Sequence, residues 1–171
     1  MTYSRPERVG KKHRFDRFSC GEEPLDDWAR TQAKSANGSD SAAVFVVTLA
    51  DSAHVVAFYA LASASVERVD VPGRVGKYMP SSVPCILLAR LAVDQAHQGK
   101  GLGKALLKDA LQRSVSAAET IGARALLVHA KHEKARDFYC QYDFEPSPSD
   151  PPHLWLLMKD IRESLPPGTQ S

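Results

Sequence analysis

The stretch from Pro84 to Gly103 constrains this chain more than any other. Residues 84–94, PCILLARLAVD, are nearly continuously apolar, the pattern of a central strand covered on both faces. A short polar turn leads to Gln98-Gly99-Lys100-Gly101-Leu102-Gly103, and a helix then runs to about Ile121, closed by Gly122. Strand, Gly-rich turn and helix in that order make a holder for a phosphate group. Glycines lack a Cβ, so the backbone can bend tightly and approach a ligand closely. The first turn of a helix leaves amide donors unpaired at the positive end of its dipole. The N–H groups of 99–104 would therefore cradle a diphosphate, with Lys100 and Lys104 adding charge. Counted from Gly99, the dinucleotide fingerprint G-x-G-x-x-G ends on Lys104 instead of glycine, and the Walker pattern G-x-x-x-x-G-K-[ST] is absent. On these residues alone, a chance glycine cluster before a helix stands beside the phosphate reading.

Two further motifs bring in a family. The pattern Q-x-x-G-x-G over Gln98–Gly103 resembles the acetyl-CoA loop of the GNAT N-acetyltransferases. Leu91-Ala92-Val93-Asp94 resembles the strand that pairs with the pantetheine arm. Further on, His132-Glu133-Lys134-Ala135-Arg136-Asp137-Phe138-Tyr139 resembles that family's N-x-x-A-x-x-F-Y helix. The three occur in the family's order. The resemblance implies an α/β (α+β) GNAT fold, a mixed twisted sheet with helices on both faces. It implies acetyl-CoA as cofactor, with Leu91, Ala92, Val93, Gln98, Gly99, Lys100, Gly101, Leu102, Gly103, Lys104, His132 and Ala135 around it. Tyr139 matches the position of the general acid.

Composition agrees with a single globular domain over residues 1–171, with a basic arm at 1–14 and a short tail at 160–171. No apolar run approaches the ~20 residues of a membrane span, and residues 1–20 are polar and basic, without the apolar segment of a secretory leader. Cys20, Cys85 and Cys140 are widely spaced and form no C-x-x-C pair; they read as free thiols in a reducing cytoplasm, not as metal ligands. Net charge is only +2, so any nucleic-acid surface must be a local patch.

Along the chain, Arg5, Arg8, Lys11, Lys12, Arg14 and Arg17 against Glu7 and Asp16 make a solvated basic arm or a phosphate-contacting one. Lys11–Phe18 is expected as the first edge strand. A helix starts at Cys20-Gly21-Glu22-Glu23-Pro24, with Leu25, Trp28, Ala29, Ala33 and Ala36 on one face and Asn37–Asp40 ending it. Strands are expected at 42–50 and 54–66. Residues 69–84 form a loop, long for a connector, carrying Arg74, Lys77 and Tyr78. Arg90 interrupts the central strand; such a charge must find a partner or reach a cleft. Beyond the long helix come a strand at 124–130, a helix at 133–142, a proline-marked loop at 146–152 and a last strand at 153–158.

Acetyl transfer needs a neutral amine, a proton for the departing thiolate, and the two reactants held together. Tyrosine has a pKa of ~10 and a thiol ~8.5, so donation by Tyr139 is uphill by roughly 2 kcal/mol at reference values. No residue stands out as a base: Glu67, Asp94 and His129 each have a simpler structural reading. The strings FSCGEEPLDDWARTQA, VVAFYALASASVERV, LLARLAVDQAHQGKGLGKALL and LLVHAKHEKARDFY, with FEPSP after them, narrow the resemblance to the GNAT toxins of toxin–antitoxin pairs. Those acetylate the α-amino group of the amino acid on aminoacyl-tRNA and stop translation. The resemblance then implies RNA contacts for Arg74, Lys77, Arg90 and the arm, a homodimer, and a ribbon–helix–helix antitoxin. An amine beside an ester carbonyl is much less basic than a lysine and is substantially neutral at pH 7. Two residues depart from the family: His132 replaces the usual Asn, and Asp143 replaces a Gly that commonly permits φ > 0. An N-acetyltransferase of a small amine or protein N-terminus is the other enzymatic reading.

Overall fold

The structure is a computed structural model and describes residues 2–130, 132–147 and 153–165. Strands β1 (Glu7–Arg8), β2 (Ala43–Thr48), β3 (Val55–Glu67), β4 (Ser82–Val93), β5 (Ala125–His129), β6 (Glu145–Pro146) and β7 (His153–Leu157) form a seven-stranded sheet in the order β1-β2-β3-β4-β5-β7-β6. Helices are α1 (Glu23–Thr31), α2 (Ala33–Gly38), α3 (Gly73–Gly76), α4 (Leu102–Ile121), α5 (Glu133–Cys140) and α6 (Met158–Ser164). β1–β2 and β2–β3 are antiparallel, with Glu7 opposite Val46 and Ala43 opposite Leu61. Asp94 N–H donates to Val56 O and Arg68 N–H to Ser81 O, both at 2.8 Å, which sets β3 and β4 antiparallel. β4 and β5 are parallel, Cys85 opposite Ala125, as a crossover through a helix requires. β7 is antiparallel to both β5 and β6. This is the mixed α/β sheet anticipated from the sequence.

The chain folds as two compact units, Met1–Ala62 with Ala89–Ala110, and Ser63–Leu88 with Leu111–Ser171. In the first, Phe15, Phe18 and Trp28 gather on Phe58, with ring centroids 5.9, 5.3 and 5.9 Å away. Val44, Val46 and Ala92 complete that core. Burying each such side chain is worth about 1.5–3 kcal/mol, which fixes the segment from 15 to 33 against β2 and β3. The second unit has its own core of Val71, Val75, Val83, Leu127, Trp155 and Leu157.

Four local expectations need correction. The first strand is β1 at 7–8; within 11–18 only Arg14 makes a bridge, to His54, and Phe15 and Phe18 serve the core as a loop. The helix after Pro24 is two helices, broken at Gln32 with φ −128°, yet Gln32 N–H still reaches Trp28 O and Ala36 N–H reaches Gln32 O, both 2.8 Å. The break turns Ala33 into the core, where it is fully buried. The 69–84 loop contains α3, whose Val75 is fully buried, and β4 already starts at Ser82. Part of the expected tail is α6, which buries Met158 and Ile161. The proline-marked loop from 148 to 152 and the last six residues lie outside the described residues.

Candidate active site

The Gly-rich turn is built by the first unit and held from one side by residues 19–26. Asp94 ends β4 and accepts two backbone N–H groups, Ala96 at 2.9 Å and Ser19 at 3.0 Å. Gln95 N–H returns a bond to Ser19 O at 2.8 Å. Gln98 spends its amide Nε2 on Val93 O at 2.9 Å and Cys20 O at 3.1 Å. Its side chain therefore shapes the turn. The fit is close: a Cβ on Gly21, at φ +97°, would stand 2.8 Å from Gln95 Nε2. Tyr3 adds a ring–edge contact to His97 and a 2.8 Å hydrogen bond between its Oη and His97 Nδ1.

On this support Gly99 and Gly101 take φ +76° and +83°. An L-residue pays roughly 1–2 kcal/mol there. A Cβ on either glycine would meet nothing within 4 Å, so the space over the turn is open. The first α4 bond runs from Ala105 N–H to Gly101 O at 3.1 Å. The amides of Leu102, Gly103 and Lys104 thus precede the ladder at the positive end of a 20-residue helix. Leu102 is buried and anchors the helix start, while Lys100 and Lys104 are exposed. A cofactor diphosphate fits this arrangement: open space, amides ahead of the helical ladder and two exposed cations. Leu91, Ala92 and Val93 occupy the end of β4, with Ala92 in the core and its neighbours half-buried. Arg90 lies in the same unit with its guanidinium 4.3 Å over the Trp28 ring. Its burial pushes its pKa down, and the aromatic face is the partner the sequence demanded.

The second unit carries α5. His132 is its N-cap, Nδ1 accepting from Ala135 N–H at 3.2 Å. The imidazole thus does the capping work that an Asn carboxamide does. Tyr139 is buried at 7% exposure, packed edge-on against Phe144 at 5.4 Å and Phe138 at 5.1 Å. Burial pushes its phenol well above the usual tyrosine range. Asp143 does adopt the left-handed conformation expected of a glycine, with φ +71°.

Arg74 is answered by two carboxylates, Glu145 at 3.7 Å and Asp160 at 3.0 Å. Lys77 stands 5.2 Å over the Tyr78 ring, and Tyr78 is 90% exposed with φ +62°. One feature escaped the sequence: His129 and His153 face each other across β5 and β7, their rings stacked at 4.1 Å. Only the strand register brings them together, and nothing local signals it. Among the described residues no group of three or more His, Cys, Asp or Glu is set to hold a metal. Among the described residues, no helix is long and apolar enough to cross a membrane.

Residues 40–146 match the acetyltransferase (GNAT) domain. The chain is 53% identical over 160 residues to the tRNA-acetylating toxin of Mycobacterium tuberculosis, covering 94% of this chain and 95% of that one. It superposes on AtaT complexed with acetyl-methionyl-tRNAfMet with a TM-score of 0.87 at 26% identity, covering 94% of this chain and 98% of the other. For AtaTR bound with AcCoA the TM-score is 0.83 at 26% identity, covering 95% and 97%. With this match over 40–146 and that identity, the chain belongs to the GNAT acetyltransferase family.

Proposed function

We propose that this chain is a toxin that moves an acetyl group from acetyl-CoA to the α-amino group of aminoacyl-tRNA and so blocks translation. The observation that carries the reading is the turn at 99–104, where two left-handed glycines leave the head of α4 open. The identity to a tRNA-acetylating toxin supports the substrate.

Acetyl-CoA, when bound, supplies the acetyl thioester and leaves as a thiol. The amides of Gly99–Lys104 would hold the diphosphate, and Leu91–Val93 would offer the strand edge for the pantetheine arm. His132 caps α5, the helix that carries Tyr139, by accepting from Ala135 N–H. Tyr139 Oη holds its proton because burial disfavours the phenolate. That retained proton is the one Tyr139 Oη would give to the thiolate that acetyl-CoA leaves as. The attacking amine needs no strong base. An α-amino group has a reference pKa of ~7.7–8.0, and the neighbouring ester lowers it further.

Lys77 beside the exposed Tyr78 is suited to RNA, while the Arg74 charge is largely answered within the protein and Arg90 positions Trp28. The reading brings with it a homodimer, a ribbon–helix–helix antitoxin and a cytoplasmic site of action. Mass spectrometry of charged tRNA pools incubated with acetyl-CoA tests it. N-acetylated aminoacyl-tRNA is expected; turnover only on free amines would favour an ordinary N-acetyltransferase.

A further inference from the structure

A cavity of about 430 Å³ opens in the first unit, away from the glycine turn in sequence. Arg14, Arg30 and Lys34 line it against one carboxylate, Asp16, with the buried His13 and Phe15 behind. Its volume falls in the range of ligand pockets, roughly 300–1,000 Å³. His13 spends both ring nitrogens inside the protein: Nδ1 accepts from Gly10 N–H and Nε2 faces Glu7, each at 2.9 Å. The charge of the cavity therefore comes from the three cations.

Two of those cations are held by backbone carbonyls. Arg30 donates to Phe18 O, and Lys34 donates to Lys11 O at 3.2 Å. A backbone carbonyl fixes the head group without cancelling its charge. The nearest carboxylate to Arg30 is Asp27, at 3.9 Å. A guanidinium has five donors and an ammonium three, so donors remain for a ligand. Arg74 is the contrast, with two carboxylates on one guanidinium. Around the cavity, residues 5–17 carry six Lys and Arg against two acids. Arg14 is paired with Asp16 at 3.3 Å, so the carbonyl-anchored Arg30 and Lys34 carry the excess charge. Two anchored cations beside a third, on a basic segment, suit an anion with several oxygens.

We infer that this cavity seats the phosphodiester backbone of the RNA substrate through Arg14, Arg30 and Lys34, an inference that rests on aminoacyl-tRNA being what the enzyme acetylates. Backbone contacts of this type set affinity and position without reading bases. The contribution of each cation appears as released counterions, and hence in the salt dependence.

The test uses Lys34→Gln, Arg14→Gln and the pair, since both side chains are exposed and Arg30 also ties down the backbone of Phe18. Each is assayed on full-length charged tRNA and on an aminoacylated CCA trinucleotide, with thermal midpoints checked. For charged tRNA at about 0.15 M salt, each removed charge should raise KM roughly fivefold with kcat unchanged, and flatten the slope of log affinity against log salt by about one. KM for the trinucleotide should not move. Wild-type KM and slope in all variants would overturn the inference while leaving the substrate assignment standing. A KM that rises equally on the trinucleotide would overturn it in favour of a seat for a small phosphate. A wild-type enzyme that acetylates neither RNA would overturn the substrate assignment and the inference with it.

Discussion

Replacing Gly101 by alanine separates what the glycine turn does for the fold from what it does for the ligand. Gly101 sits at φ +83°, and a Cβ there meets nothing within 4 Å. Space is thus not the obstacle; conformation is. An L-residue in the left-handed region costs roughly 1–2 kcal/mol, of which reduced freedom in the unfolded chain returns about 0.4–1 kcal/mol. The net loss is about 1 kcal/mol, or some 2–4 °C in Tm for a chain of this size. The ligand pays more. If φ relaxes, the first α4 amides turn from the diphosphate; if it holds, the new methyl occupies the open space above them. A hydrogen bond to a charged group is worth about 1.5–3 kcal/mol, so losing one should weaken coenzyme A by roughly ten- to a hundredfold. Gly122 provides the matched control. It sits at φ +76° beyond the other end of α4, also with nothing within 4 Å of a Cβ. Gly122→Ala should lower Tm by a similar amount and leave coenzyme A binding alone. Calorimetric titration with coenzyme A and thermal denaturation give both quantities. Wild-type affinity in Gly101→Ala, or equal loss in both variants, would refute the phosphate-cradle argument.

Three further outcomes follow from the same structure. Tyr139→Phe should lower kcat by about 10²–10⁴ and leave the thermal midpoint at neutral pH nearly unchanged, because it removes only a buried hydroxyl. Because the folded phenol titrates above its unfolded value of ~10, wild-type stability should hold below that pH and fall as pH rises through and beyond it; alkaline denaturation should show that fall reduced in Tyr139→Phe. His132→Ala should cost about 1 kcal/mol through loss of the α5 cap, whereas His132→Asn should keep it; equal Tm losses in the two would contradict the capping role. Arg90→Ala should destabilise by about 1–2 kcal/mol through the Trp28 face and the buried stem, measured by urea unfolding, and leave KM for charged tRNA unchanged.

The stretch from Pro84 to Gly122 was legible in the sequence because its signals are local. An apolar run, left-handed glycines and a helical repeat each act within a few residues, and β4 and α4 lie where they point. The segment from 11 to 18 was misread because its apolar residues, Phe15 and Phe18, pack on Phe58 from a loop, and alternation alone suggests a strand. α3 inside the 69–84 connector went unread because a four-residue helix with Val75 as its buried side chain is too short to show a helical repeat. Arg74 shows what no local pattern gives: its partner Asp160 lies 86 residues away. Gln98 likewise bonds Cys20 O across 78 residues. Such partners depend on the assembled sheet, which is also why the cavity of Arg14, Arg30 and Lys34 is visible only in the structure.

Labelled acetyl transfer tests the central claim most directly. The enzyme is given acetyl-CoA carrying a radioactive acetyl group, with one tRNA pool split into charged and deacylated halves. The account predicts label only in the charged half, released by mild base as an N-acetylamino acid, and formed about a hundredfold or more slower with Tyr139→Phe. Label on deacylated tRNA, or equal transfer by Tyr139→Phe, would contradict it.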